Sequence, residues 1–217
     1  IDTLDLAYLA DSNTSVASTM SFMRMLTKPQ CQLLNRALVP WPEASAFQIA
    51  LPGLHTILTA LPWGGGGEPI WYEHDPRVRN CSVLVAFRNQ AVVDAVLGLL
   101  REFHAQHRDK PEAERERITN EMGNRLVSQE PDRENPDINR SIISCHGRGN
   151  VNSVSVVLRG NSPYIQTGVI AAEACARILR REYGAVGFTS VGVSLGARRL
   201  IAANAERGYL AWQATRH

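Results

Sequence analysis

Residues 141–183, SIISCHGRGNVNSVSVVLRGNSPYIQTGVIAAEACARILRREY, contain two strand-like segments, a polar turn and a long amphipathic helix. The segments Ser141–Cys145 and Ser153–Arg159 flank the turn Gly147–Asn150. Apolar side chains alternate with polar ones in the second segment, a period of two that is typical of a half-buried strand. Two such segments around a glycine-containing polar turn predict a β-hairpin.

The helix that follows has recognisable start signals. Ser162 is a favourable N-cap residue, and Pro163 suits the first helical position because its missing N–H is not needed there. Gly168 lies inside the helix at a cost of about 1 kcal/mol relative to alanine. We therefore expect another backbone or a ligand to pack closely at Gly168. An apolar stripe runs along one face of the helix: Ala171, Ala174, Cys175 and Ile178.

The remaining chain alternates between strand and helix patterns. Residues 3–10 alternate as a half-buried strand, and Thr14 or Ser15 can cap the helix after it. Cys81–Phe87 is mostly apolar, as in a buried strand, and a strongly amphipathic helix follows. We predict an α+β fold in which helices flank a mixed β-sheet, with residues 1–217 forming a single domain. A start in mid-strand at Ile1 suggests the C-terminal part of a longer protein.

Residues 28–75 are predicted to be irregular and rich in proline and glycine. Six of the eleven prolines fall here, and the run Gly64–Gly67 leaves the backbone unconstrained. Two interpretations stay open. The segment is either a long loop held on the domain by Trp41, Trp63 and Trp71, or a flap over a binding site, since long insertions are often functional.

Composition excludes several classes of function. The net charge of +2 and the scattered arginines argue against a nucleic-acid or anionic-membrane partner. No apolar run approaches the length of a membrane span of about 20 residues. The four cysteines lie far apart, without a C-x-x-C pair, so we expect reduced thiols in a cytoplasmic protein.

Three motifs suggest chemistry but lack the context for it. Residues 192–196 match the G-x-S-x-G pattern around Ser194, although only 21 residues follow, too few for the later acid and histidine of a hydrolase. Residues 147–152 resemble a dinucleotide loop but lie between two strands instead of a strand and a helix. His104 and His107 would supply only two ligands to a metal ion, so we predict no metal site.

The corner between the second strand and the helix, residues 159–168, is the strongest candidate site. A helix N-terminus presents free N–H groups and partial positive charge, which favour a carboxylate or phosphate. The alternative is that Arg159 and Tyr164 only brace the junction. The predicted substrate-binding residues are Arg159, Asn161, Tyr164, Gln166 and Thr167, and no catalytic residue is identified.

This corner resembles the C-terminal domain of saccharopine dehydrogenase-like oxidoreductases, a group that includes trans-acting enoyl reductases. The resemblance rests on the strand Val154–Arg159, Pro163-Tyr164, Thr167-Gly168 and the alanine-rich helix around 171–174. It extends over about residues 1–27 and 140–210. It implies a mixed sheet, a homodimer, a small-molecule substrate, and a Rossmann domain elsewhere in the parent protein that binds NAD(P).

Three functions follow in order of preference. The first is the substrate-binding and dimerisation domain of an NAD(P)-dependent oxidoreductase of this type. On that hypothesis the chain alone is inactive, because the cofactor domain lies outside it. The second is a non-enzymatic interaction module that docks a partner through Trp41, Trp63 and Trp71. The third is a serine hydrolase that uses Ser194.

Overall fold

A mixed β-sheet with helices on one face and along one edge forms the framework of the protein. The computed structural model describes residues 1–64 and 67–217, and in these residues nine strands join one sheet. The elements in chain order are β1 (Thr3–Asp11), α1 (Val16–Leu26), β2 (Cys31–Leu34), β3 (Ala37–Pro40), β4 (Phe47–Ala50), β5 (Ile57–Pro62), α2 (Glu68–Glu73), β6 (Asn80–Phe87), α3 (Gln90–Gln106), α4 (Glu112–Leu126), β7 (Arg140–Arg148), β8 (Ser153–Asn161), α5 (Pro163–Leu179), α6 (Val191–Leu195), α7 (Ala197–Glu206) and β9 (Leu210–Arg216).

The strand order places β1 at the centre of the sheet. It runs β3-β2-β6-β1-β7-β8-β9, and β5 pairs with the far end of β6 while β4 pairs with β5. Strands β1 and β6 are parallel, and the other pairs are antiparallel. Each of the two parallel strands leads through a short polar turn into a helix, α1 or α3. The predicted α+β class with a mixed sheet flanked by helices is confirmed.

Alternation along the central strands gives the sheet a helix-covered face. Leu4, Leu6 and Tyr8 of β1 point to the same side as Val83 and Val85 of β6. Helices α1, α3 and α4 supply the apolar side chains that cover much of this side, and these form the largest buried cluster. Burial of such side chains contributes about 1.5–3 kcal/mol each, which makes this layer the main source of stability.

The opposite face is half apolar and half polar. Leu9, Ala86 and Ile142 form a second apolar cluster, which strands β4 and β5 and the loop between them help to cover. Further along β1, Asp5 accepts hydrogen bonds from Ser82 Oγ at 2.8 Å and from the Arg148 guanidinium at 2.8 Å. The period of two in β1 therefore separates a packed core from an open, charged sheet surface.

Several predicted elements are confirmed. The hairpin around Gly147–Asn150 forms as β7 and β8, with Cys145 opposite Val156. Ser15 caps α1 by accepting a hydrogen bond from the Ser18 amide at 3.1 Å. The helix after Ser162 forms as α5 and ends at Leu179.

The prediction that residues 28–75 are irregular is wrong. This segment contains four strands, β2 to β5, and the short helix α2. These strands have four to six residues each, too few to display a clear period between prolines. Gly65 and Gly66, in the middle of the glycine run that was predicted to be unconstrained, lie outside the described residues.

Two predictions about the C-terminal half are also corrected. No other part of the described protein packs against Gly168, since a Cβ built there would have no neighbouring atom within 4 Å, and close packing by a ligand there stays a prediction. The chain also continues past the helix expected to be last: Gly208, at φ +75°, turns it into the edge strand β9. The segment 210–216 was missed because an exposed edge strand has little apolar alternation. No helix in the described part of the chain has both the length and the apolar character needed to cross a membrane.

Candidate functional site

A large cavity lies at the carboxyl ends of the two parallel strands. We call it the β1–β6 cavity; it has a volume of about 690 Å³ and lies between residues 10–14 after β1 and 87–89 after β6. In open sheets, ligands bind beyond the carboxyl ends of parallel strands, where the following helices begin. The volume is also within the usual range of small-molecule pockets.

The turn from β1 to α1 forms the polar side of this cavity. Thr14 and Thr19 share a hydroxyl hydrogen bond of 2.7 Å, and Ser15 is used as the helix cap. The Ser12 hydroxyl is buried and has no hydrogen-bond partner among the described residues. A rotation about its Cα–Cβ bond is the smallest movement that would let this hydroxyl bond a ligand, which would satisfy an otherwise unpaired group.

The charged groups around the cavity are paired with one another. Arg88 Nε lies 2.5 Å from Asp11 Oδ2, and Arg125 makes two hydrogen bonds of 2.8 and 2.9 Å to Glu102. The hydrogen bonds from Arg125 hold the pKa of Glu102 below its usual value. Asn139 adds an amide, which donates to the Asp11 carbonyl at 3.3 Å. The polar end of the cavity therefore offers hydroxyl and amide groups and an ion-paired carboxylate instead of an uncompensated charge.

The remainder of the wall is apolar. It comes from the sides of α1 and α3 and from the segment after α4, and it includes Phe22, Phe87, Val92, Val96, Leu126 and Ile138. A cavity with one polar end and apolar walls binds and orients a small molecule that has a polar group on an apolar body. The geometry thus supports binding and positioning of a substrate.

The five residues predicted to bind substrate do not line the β1–β6 cavity. Arg159 lies on the other face of the sheet and donates from Nη2 to the Pro52 carbonyl at 3.1 Å. Gln166 is buried and donates to the Asn161 carbonyl at 2.5 Å. Thr167 Oγ1 donates to the Pro163 carbonyl at 2.9 Å, within the helix. Tyr164 is exposed and lines a smaller pocket that shares Asn13, Pro131, Ile138 and Asn139 with the β1–β6 cavity.

The anion position predicted at the start of α5 is filled by the protein itself. Glu134 Oε2 accepts hydrogen bonds from the Tyr164 amide at 2.8 Å and from the Ser162 hydroxyl at 2.5 Å. Glu130 of the same connection accepts a hydrogen bond of 3.3 Å from the Val16 amide at the start of α1. The segment between α4 and β7 thus places one carboxylate at the N-terminus of α5 and another at the N-terminus of α1. Negative charge at a helix N-terminus stabilises the helix.

The G-x-S-x-G motif has a structural explanation. Ser194 lies in the five-residue helix α6, where its hydroxyl donates a hydrogen bond of 2.7 Å to the Ala185 carbonyl. Gly147–Asn150 forms the end of the β7–β8 hairpin, with the Gly149 amide donating to the Asn152 carbonyl at 2.8 Å. The three tryptophans considered for docking are half-buried: Trp41 packs on Phe47, Trp63 on Phe22 and Trp71 on Phe188, at ring-centroid distances of 5.0, 5.6 and 4.9 Å.

A second titratable cluster lies beneath α2. Tyr8 donates a hydrogen bond to Glu68 Oε1, while Glu68 Oε2 is buried without a partner among the described residues. Burial, and secondarily Glu68, raises the pKa of Tyr8. Burial likewise raises the pKa of Cys81 to about 12 and that of Cys145 to about 11. Both thiols are therefore protonated at neutral pH and unreactive as nucleophiles.

The β1–β6 cavity was not predicted from the sequence, although its local signals are present. Residues 12–15 and 88–89 are polar turns between a strand and a helix. What single-sequence patterns do not show is that β1 and β6 are neighbours and parallel, because about 70 residues separate them. Only that pairing places the two turns side by side.

The comparisons with known proteins place the chain in a family. Residues 1–211 match the family described as "Family of unknown function (DUF5938)", so the protein belongs to that family. No curated protein matches the sequence.

Proposed function

We propose that this chain is the substrate-binding and dimerisation domain of an NAD(P)-dependent oxidoreductase of the saccharopine dehydrogenase type. A Rossmann domain elsewhere in the parent protein would bind most of the cofactor. The observation that carries the proposal is the position of the β1–β6 cavity, beyond two parallel strands and beside the starts of α1 and α3. This is where sheets of this kind receive small ligands.

The residues of the cavity suit a positioning role. A bound nicotinamide would supply hydride transfer. Ser12 and Asn13 would hold the polar group of the substrate, and the apolar wall near Val92 would hold its body and exclude water. Such positioning of two reactants contributes a large part of enzymatic rate enhancement. Tyr164 lies at the neighbouring pocket and would contact the outer end of a longer substrate.

The experiment uses the full-length natural protein that contains this chain. NADH and NADPH are titrated by fluorescence, and reduced-cofactor oxidation is followed with panels of 2-oxo acids, imines and enoyl thioesters. Ser12→Ala is expected to lower kcat/KM by about tenfold through one lost hydrogen bond to substrate, with unchanged cofactor affinity. Ser21→Ala, an exposed position on α1, is the matched control. Failure of the full-length protein to bind either cofactor would exclude the oxidoreductase proposal.

A second function, homodimerisation, is favoured by a separate observation. Phe188 is 91% exposed and Leu179 is 84% exposed, and further large apolar side chains lie near them in sequence. We call the set the 178–193 surface; it comprises Ile178, Leu179, Tyr183, Val186, Phe188, Val191 and Val193. Exposed apolar side chains concentrated in one region are typical of protein interfaces. We propose that two copies of the chain associate through this surface.

Light scattering after size-exclusion chromatography tests the dimer. Leu179→Lys is expected to yield monomers at concentrations where the wild-type protein is dimeric, because a charge would be buried at the interface. Ile57→Lys, at an exposed apolar residue outside the surface, is the control. If the wild-type protein is monomeric, or if Leu179→Lys remains dimeric, this interface is wrong. A dimer without NAD(P)H binding by the full-length protein would instead favour the non-enzymatic interaction module.

A further inference from the structure

A second cavity lies at the other end of the helical layer. We call it the Trp41 cavity; it has a volume of about 600 Å³, and the ends of α1 and α3 contribute Leu26 and Phe103 to its wall. It shares no lining residue with the β1–β6 cavity. On α3, residues 91–96 line one cavity and residues 100–104 line the other, so the two stretches are centred about 13 Å apart at 1.5 Å per residue.

One side of the Trp41 cavity is aromatic and apolar. Trp41 packs edge-on against Phe47, and Phe103 is fully buried at the base of α3. Leu61, Pro62 and Leu100 complete this side. The volume and the flat aromatic wall suit a ligand with one or two planar rings.

The other side carries two cationic side chains that form no ion pair within the described residues, although Glu112 and Glu116 line a small adjoining pocket with them. The Lys28 ammonium and the Arg115 guanidinium make no ion pair or side-chain hydrogen bond with the rest of the described chain. Arg108 is different, since it lies 3.5 Å from both Glu43 and Asp109. These five side chains sum to one net positive charge. The helix dipole at the first turn of α4, where Arg115 lies, adds to this charge. The end of α3 and the Glu112 carboxylate in the first turn of α4 oppose it.

Buried hydrogen-bond donors support an acceptor-bearing ligand. Trp41 Nε1 and Arg115 Nε are buried and have no acceptor in the described part of the chain. Indole and guanidinium groups can only donate, so each requires an acceptor to offset its desolvation. His104 Nδ1 lies 3.5 Å from Glu43 Oε2, which places this carboxylate beside the histidine and Arg108.

We propose that the Trp41 cavity binds a small aromatic anion, with its carboxylate, sulfonate or phosphate group on Arg115 and Lys28 and its ring against Trp41. The site is independent of the oxidoreductase proposal, because it uses different residues at the opposite end of α3. A planar anion satisfies both the apolar wall and the unpaired cations, which an apolar ligand alone or inorganic phosphate alone would not do.

The probe for this site is 8-anilinonaphthalene-1-sulfonate, an aromatic sulfonate whose fluorescence rises in apolar surroundings. N-phenyl-1-naphthylamine, which has the same rings without the sulfonate, is the companion probe. Arg115→Gln is expected to weaken sulfonate binding at least about tenfold, the loss of one charge-assisted contact, and to leave binding of the neutral probe unchanged. Arg101→Gln removes the same charge from an exposed position of α3 outside both cavities and serves as the control.

The location is tested by the indole N–H resonances of the four tryptophans in a nitrogen–proton correlation spectrum. The resonance that disappears in Trp41→Phe is expected to shift on titration with the sulfonate, whereas that of Trp212 on the edge strand stays in place. The proposal is overturned if the folded wild-type protein does not bind the sulfonate. It is equally overturned if Arg115→Gln binds it as tightly as wild type, or if the Trp41 resonance does not move.

Discussion

The carboxylate of Glu134 lies 2.8 Å from the backbone amide of Tyr164, at the N-terminus of α5. Ser162, the N-cap residue, has a left-handed backbone at φ 53° and does not cap the helix with its side chain; it donates to the same carboxylate instead. A glutamate from a distant connection therefore performs the task that the sequence assigned to a bound anion.

Replacing Glu134 is expected to destabilise the protein. Glu134→Ala removes a charged cap from α5 and should lower the free energy of unfolding by about 1–2 kcal/mol. Urea denaturation measures this difference. Glu73→Ala, at an exposed position at the end of α2, should change stability by less than about 0.5 kcal/mol. Equal effects of the two substitutions would show that Glu134 does not stabilise the helix start.

Helices α1 and α4 cross at a glycine. A Cβ at Gly123 would lie 2.9 Å from the Met20 Cα, a backbone contact that cannot yield without moving a helix. We expect Gly123→Ala to lower the free energy of unfolding by about 1–3 kcal/mol, despite the better helix propensity of alanine. A thermal or urea unfolding curve gives the value.

A matched substitution in α3 should have the opposite sign. A Cβ at Gly98 would meet no described atom within 4 Å. Gly98→Ala is therefore expected to stabilise the protein by up to about 1 kcal/mol through helix propensity alone. If both glycine substitutions stabilise the protein, the close packing of α1 on α4 is incorrect.

The Tyr8–Glu68 hydrogen bond links β1 to α2 across the helix-covered face. Tyr8→Phe leaves the partly buried Glu68 carboxylate without this donor, and we expect a loss of about 1–3 kcal/mol in the free energy of unfolding. In a Glu68→Ala background, Tyr8→Phe should lower the free energy of unfolding by less, since the carboxylate that accepts the hydrogen bond is already absent. A double-mutant cycle with a coupling energy below about 0.5 kcal/mol would contradict the contact.

Alkaline pH should weaken the fold through two buried thiols. Burial raises the pKa of Cys81 to about 12 and of Cys145 to about 11, from an ordinary value of 9.0. The contribution of the two buried thiols to the free energy of unfolding is fully present below pH 9, where they are protonated in both the folded and the unfolded state. Above pH 9 the unfolded chain releases protons that the folded protein retains, so the free energy of unfolding falls as pH rises towards the folded pKa values.

The measured quantity is the slope of unfolding free energy against pH. Each thiol contributes up to about 1.4 kcal/mol per pH unit above its unfolded pKa. The double variant Cys81→Ala and Cys145→Ala should flatten the slope between about pH 9 and pH 10. Cys175→Ala, at an exposed thiol, should leave the slope unchanged. An unaltered slope in the double variant would mean that neither thiol is shielded.

Much of the fold was predictable where one face of an element is buried. In β6 and α3 the spacing of apolar residues reflects that burial directly. In α5 it does not, because Gln166 and Ala174 are buried whereas Ala171, Cys175 and Ile178 of the predicted stripe are exposed. Strands β2 to β5 were missed because four to six residues between prolines show no reliable period. The partner of the α5 N-terminus was not predictable for a different reason, since Glu134 lies in a polar connection without any pattern.

By itself, the sequence determined the class of fold, the β7–β8 hairpin and the helix α5, because local burial and chain turning are recorded in nearby residues. Only the tertiary structure decided that β1 and β6 run parallel as neighbours, and hence that the turns after them enclose one cavity. It also decided that Arg159 bonds the Pro52 carbonyl while Tyr164 lines a separate pocket, and that Arg115 and Trp41 line one second cavity. These relationships join residues far apart in the chain, and no local spacing of side chains specifies them.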